Sequence, residues 1–224
     1  MGYSFQFSII WDNIGLLMAG AWLTFKISLL AIAFGLVIGI IGAIFRTSNN
    51  KILDRIALTY VEIIRNTPYL IQLLFIFFGM PNLGIKLTAE QAAVLSLAVN
   101  FGAYSTEIVR AGVESIHTGQ VEAGKALGFK PLSIFRHIIL LPALANIYPA
   151  LIGQVILAVL FTSVVSQIAT EDLTFVGDFL NARSFRSFEI YFTISLIYLA
   201  LVWIIKAMAF LVERRFFEFA KYRR

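Results

Sequence analysis

The chain of 224 residues contains no cysteine, which excludes disulfides, thiol nucleophiles and cysteine-based metal sites together. Histidine occurs twice, at His117 and His137, without metal-ligand spacing, so both are expected to be solvated or packed and no metal is expected. Charge is scarce: Asp, Glu, Lys and Arg make up 14% of the residues, against about a quarter in a typical soluble domain. No G-x-x-x-x-G-K-[ST] loop is present, so the chain has no phosphate cradle of its own. Ten-residue stretches of strict alternation are absent, which argues against a membrane β-barrel. The first residues show neither a basic n-region nor a cleavage site and do not read as a cleaved signal peptide. No set of nucleophile, base and acid is visible, so the chain is not expected to be an enzyme.

What is abundant is apolar surface, at 59% of residues. This composition implies an all-α integral membrane protein, residues 1–224 forming one transmembrane domain. Five spans are expected, at about 19–45, 56–80, 88–109, 143–168 and 188–212, since about twenty apolar residues suffice to cross. The segment 3–18, with Tyr3, Phe5, Phe7 and Trp11, suits a water–lipid boundary. Gly35 and Gly39 form a G-x-x-x-G face for close helix approach, within the chain or between chains. Lys206 sits near the end of the fifth span, where it can snorkel. Lys and Arg set the orientation: the turn 46–56, the loop 110–141 and the tail 213–224 hold twelve of them. The other side holds Lys86, Arg183 and Arg186. Positive-inside then places the amino terminus outside and the carboxyl terminus in the cytoplasm.

One stretch interrupts this pattern. Residues 122–142, EAGKALGFKPLSIFRHIILLP, are polar and basic between lipid-like segments. Thr118-Gly119 is a plausible helix start, with Glu122 in the first turn near the positive end of the dipole. Gly128 can end that helix in a left-handed conformation, and Pro131 can open a second one. Val121, Gly124 and Leu127 share one face of the first helix; Leu132, Phe135, Ile138 and Ile139 share one face of the second. Two short helices at a corner would make a compact knob.

Glu122-Ala123-Gly124, then Gly128, then Leu141-Pro142, resembles the EAA loop of bacterial ABC importer permeases, with Gly124 at the third position and the closing Leu-Pro one residue late. The resemblance implies that the loop, about 110–142, carries a cytoplasmic coupling helix between spans three and four. Glu122, Ala123, Gly124, Gly128 and Pro142 would then dock on an ATPase subunit. A second motif, Glu62-x-x-Arg65-x-Thr67-Pro68, with Pro68 expected to bend the helix, resembles the second span of polar amino-acid permeases in that family. The fourth span, from Gly153, is similar to the family's N-E-x-I-x-x-x-K-[DEN]-[TS]-S. Here Gln154 replaces the acid and Leu160-Phe161 replace the lysine–acid pair.

Within the spans, Glu62 with Arg65 and Glu107 with Arg110 stand three residues apart, both expected near the inner surface, as an inner gate or as ion pairs that anchor helices. Gln72, Asn100, Tyr104, Gln154, Thr162, Ser163 and Ser166 are candidates for a substrate path or, alternatively, for polar glue between helices. At 100° per residue, Thr162 and Ser166 would share one face, about 80° from Gln154. The family resemblance implies a permease subunit that imports polar amino acids by alternating access in the bacterial inner membrane. It implies a second permease, identical or homologous, two ATP-binding subunits that hold ATP and Mg, and a periplasmic or lipid-anchored binding protein. No cofactor or nucleic acid is expected on this chain. The alternative is a self-contained secondary carrier or channel, which needs no docking knob and is commonly built from internal repeats.

Overall fold

The computed structural model describes residues 4–216, so Tyr3 and the basic tail beyond 216 lie outside the described residues. The described chain is helical: α1 (Ser8–Asp12), α2 (Ile14–Arg46), α3 (Lys51–Arg65), α4 (Tyr69–Leu74), α5 (Ala89–Glu114), α6 (Thr118–Ala126), α7 (Pro131–Ile134), α8 (Leu140–Phe161), α9 (Leu173–Ser184) and α10 (Ser187–Phe216). Four helical stretches are long and apolar enough to cross a membrane: α2, α5, the run 131–168 through α7 and α8, and α10. A fifth exists if α3 and the run 69–83 through α4 count as one span, which is bent by 108°.

Small residues bring α2 against α5. A Cβ at Gly35 would stand 2.8 Å from the Phe101 ring, and one at Gly39 would stand 2.5 Å from the Ser105 side chain. Both glycines are therefore used within the chain, where only a bare backbone fits. Ile27, Ala31, Leu73, Leu97 and Phe101 complete this buried cluster.

Between α8 and α10 the chain forms α9, which enters the core. α9 packs antiparallel to α10, with Asp178 accepting from the Tyr191 hydroxyl and Asn181 from Ser187. Gly20 of α2 lets Leu173 and Val176 come close. Asp172, fully buried, caps α9: Oδ1 accepts from Phe175 N at 3.1 Å, and Oδ2 from Thr174 N and the Tyr198 hydroxyl at 3.2 Å each. Thr24 of α2 accepts from Leu173 N. One carboxylate and one threonine thus pin three helices by satisfying the amide donors that a helix start leaves open. At the far end of α9, Gln6 N donates to Glu189 and Arg186 donates to Ser4 O, strapping the first described residues onto the start of α10.

Candidate functional site

Pro68 makes the break between α3 and α4. It is extended, at φ −63° and ψ 136°, and has no N–H for a continuing helix. The bend expected from the sequence is present, but it divides the second span into two helices. Gln72 serves that break. Its amide nitrogen donates to the carbonyls of Ile64 and Thr67, at 2.7 and 3.0 Å, and to the Thr67 hydroxyl. Its oxygen accepts from Asn100 Nδ2 at 2.9 Å. Gln72 and Asn100 therefore meet, and both are buried. Asn100 Oδ1 is buried with no hydrogen-bond partner.

Glu62 and Arg65 do not pair with each other. Glu62 accepts from Asn66 at 2.8 Å, and the Arg65 guanidinium lies 5.2 Å over the Tyr104 ring. The Tyr60 hydroxyl donates to Val99 O, and Gln72 meets Asn100, so this corner lies beside residues 99–104 of α5. Of the two readings, the ion pair between Glu62 and Arg65 is not formed; each has a separate partner.

Glu107 and Arg110 are joined, at 2.8 Å, within a larger ion network. Arg46, the last residue of α2, bonds both Asp54 in the first turn of α3 and Glu107 of α5. Arg110 also reaches Glu114. Three helix ends are held at one level, immediately before the chain turns into α6.

The knob is present as two helices at a corner. Gly128 has φ +76°, the left-handed conformation that a side chain strains, and Phe129 N and Gly128 N close the end of α6 on Gly124 O and Lys125 O. Pro131 opens α7. Two details differ from expectation. The α6 cap is His117, whose Nδ1 accepts from Gly119 N, so Glu122 is the fifth helical residue and the first turn holds no acid. The contact between the helices is made by Gly124 against Ile134 and Ile138, while Leu127 and Leu132 are 75% and 76% exposed. The apolar faces are divided between the corner and the outside. Glu122 and Ala123 are exposed, and Pro142 lies in the first turn of α8.

In α8, Gln154 is buried, 7% exposed. The helix tightens to 3₁₀ geometry over Thr162–Ile168, where each residue turns about 120° rather than 100°. The face shared by Thr162 and Ser166 on an ideal α-helix therefore does not exist. Thr162, Ser163 and Ser166 each donate to a carbonyl three residues back, and Thr162 is fully buried. Among the described residues, no group of three or more His, Asp or Glu is placed to hold a metal.

Residues 35–218 match the family model of the binding-protein-dependent transport system inner membrane component. The chain belongs to this family. It is 38% identical over 213 residues to the glutamine transport system permease protein GlnP of Escherichia coli strain K12, covering 94% of this chain and 97% of that protein. It is 34% identical over 194 residues to the probable glutamine ABC transporter permease protein GlnM of Bacillus subtilis, covering 87% and 90%. A crystal structure described as an amino acid ABC transporter with histidines superposes with a TM-score of 0.87 at 34% identity, covering 95% of this chain and all of that one. As a family member the chain is one component of a transport system, not a self-contained carrier.

Two polar features of this membrane component were not read from its sequence. Lys26, inside the first apolar stretch, pairs with Glu90 of α5 at 3.1 Å; a lysine one residue before a charge-free run is visible, but its partner 64 residues away is not. Asp172 is an ordinary cap residue by sequence, and its signal was the Asp-Leu-Thr that opens α9.

Proposed function

We infer that this chain is the membrane-spanning permease of an ATP-driven importer for polar amino acids. The likeness to glutamine permeases along nearly the full length of both chains carries the reading. The amino terminus lies outside and the carboxyl terminus in the cytoplasm, as the Lys and Arg count supports. This chain pairs with a second permease, identical or homologous. Two ATPase subunits bind ATP and Mg, and an external binding protein delivers the substrate.

The exposed part of the knob, with Glu122, Leu127 and Leu132, docks on the ATPase. The ion network around Arg46 and Glu107 ties the knob's stem to three helices, so that closure of the ATPase pair moves them as one body. Glu107 and Arg110 act here as the base of an inner gate. The α8 path, with Gln154 but without the family's lysine–acid pair, suits a substrate with an uncharged side chain.

The test is uptake of radiolabelled L-glutamine into proteoliposomes that hold this permease with its ATPase and binding protein. Uptake that requires ATP, and that Glu122→Ala reduces without loss of assembly, supports the reading. ATP-independent uptake, or none for any amino acid, overturns it.

A further inference from the structure

Two ion pairs tie α2 to α5, and they bracket an uncharged slab. Lys26 meets Glu90 at one end, and Arg46 meets Glu107 at the other. Residues 27–45 of α2 and 91–106 of α5 carry no charge. At 1.5 Å per residue the two pairs stand about 25–30 Å apart, close to the thickness of a hydrocarbon core. Lys26 and Glu90 therefore lie at a membrane boundary, and with both side chains about half exposed their pair is a weak one. An open groove of about 580 Å³ starts at this pair and runs into the slab along the α2–α5 seam. Leu30, Phe34 and Val37 line one wall, Val94 and Leu95 the other, and buried Ala98 lies between them. Ile38 ends the groove, where it and the Tyr60 hydroxyl close over Gly102. From Lys26 to Ile38 is about 18 Å, a little more than one leaflet. The rest of the bundle at this level lies on the opposite side of α5. Asn100 meets Gln72 there, and Ser96 meets Tyr69, which stacks on Phe161 of α8. Both are about 150–175° around α5 from the groove residues at 100° per residue. Two permeases that enclose a path, as inferred above, meet on that other side, which leaves the groove to lipid.

We propose that this groove holds one acyl chain of a phospholipid with a primary ammonium headgroup, its phosphate on Lys26 and its ammonium on Glu90. The choice of lipid follows from charge complementarity. One cation and one anion at the mouth are matched by a headgroup that carries both, and each contact is a charge-assisted hydrogen bond. A choline headgroup has no N–H to donate to Glu90, and a glycerol headgroup brings no cation to it. Gln91 adds a donor: its Oε1 accepts from Thr88 N in the α5 cap at 3.0 Å, which leaves the amide N–H groups for the ester oxygens. Within hydrocarbon the chain gains van der Waals contact and no exclusion of water, so the headgroup supplies the selectivity. A lipid seated here bridges Lys26 to Glu90 and steadies α2 against α5 at the end opposite the Arg46 network.

The test uses the complete transporter in detergent, read by native mass spectrometry, with dioleoyl phosphatidylethanolamine, phosphatidylcholine and phosphatidylglycerol supplied in equal amounts. Wild type should retain the ethanolamine lipid roughly fivefold over each of the others, since a charge-assisted hydrogen bond separates them. Glu90→Ala should level the ethanolamine and choline lipids, Lys26→Gln should weaken both, and Leu95→Trp, which fills the groove, should lower retention of all three. Equal retention of the three by wild type, or a preference unchanged in the variants, means ordinary boundary lipid and overturns the site. Should a variant not assemble, wild type decides with an ethanolamine lipid that carries a diazirine on its chain: photolabelling should fall on residues 30–38 and 94–98, and labelling elsewhere overturns the site. A disulfide between two copies at Leu95→Cys would place a second permease in the groove and overturn it as well. None of these readouts needs uptake. ATP-dependent L-glutamine import without the lipid preference removes the site and leaves the importer reading standing, whereas lipid preference without import of any amino acid does the reverse.

Discussion

Two regions place charge on helices of this bundle, and they treat it in opposite ways. At Asp172 the carboxylate is fully buried and its oxygens accept from two amides and a tyrosine hydroxyl. At the α3–α4 break, Glu62 and Arg65 are exposed, each with one local contact and none to the other. A buried carboxylate is tolerated when both its oxygens have donors. Satisfied polarity marks architecture here; Glu62 and Arg65 keep hydrogen-bonding capacity that this chain does not use.

That contrast breaks most severely at Asp172. Asp172→Leu removes the α9 cap and one hydrogen bond of the Tyr198 hydroxyl, which keeps its contact with Thr174, a loss of about 2 kcal/mol when the two effects are combined. Thermal unfolding in detergent should show it directly, with reduced yield of the assembled transporter; Asp172→Asn, which can still cap, should lose less. A stability equal to wild type in the leucine variant would mean that the pin is not structural.

An intermediate effect is expected at Gln72, which belongs to the break but is fully bonded. Gln72→Leu strips donors from the Ile64 and Thr67 carbonyls and an acceptor from Asn100, for about 1–2 kcal/mol. Both stability and uptake should fall. A variant stable as wild type yet unable to transport would move Gln72 back among residues that touch substrate.

The smallest change in stability is expected at Arg65, where it sharpens the comparison. Arg65→Gln should unfold within about 0.5 kcal/mol of wild type, as exposed substitutions do, while uptake falls steeply. If stability falls as far as in Asp172→Leu, the two regions do not differ in kind.

Much of the frame was legible before any coordinates. Pro68 announced a break because it lacks a donor, Gly128 announced a left-handed end, and the order Glu122, Gly124, Gly128, Leu141-Pro142 announced the knob. Other features were hidden for definite reasons. α9 gave no signal of a buried helix because its apolar residues, divided by Asp178, Asn181 and Arg183, form too short a run. The His117 cap was missed because histidine is an uncommon cap, and Thr118 beside it is a common one. The angular relation along α8 failed because nothing in the sequence marks a change from α to 3₁₀ geometry at Thr162.

By itself, the sequence determined that the chain is a set of apolar helices, where most of them start and stop, and that a polar corner lies between the third and fourth spans. Those properties follow from local causes: run length, dihedral limits of glycine and proline, and the scarcity of charge. The tertiary structure decided which polar groups are spent. Gln72 meets Asn100 and Asp172 meets Tyr198, whereas Glu62 and Arg65, three residues apart in sequence, stay apart in space. Whether a charge is satisfied depends on partners brought by other helices, and no local pattern contains that information.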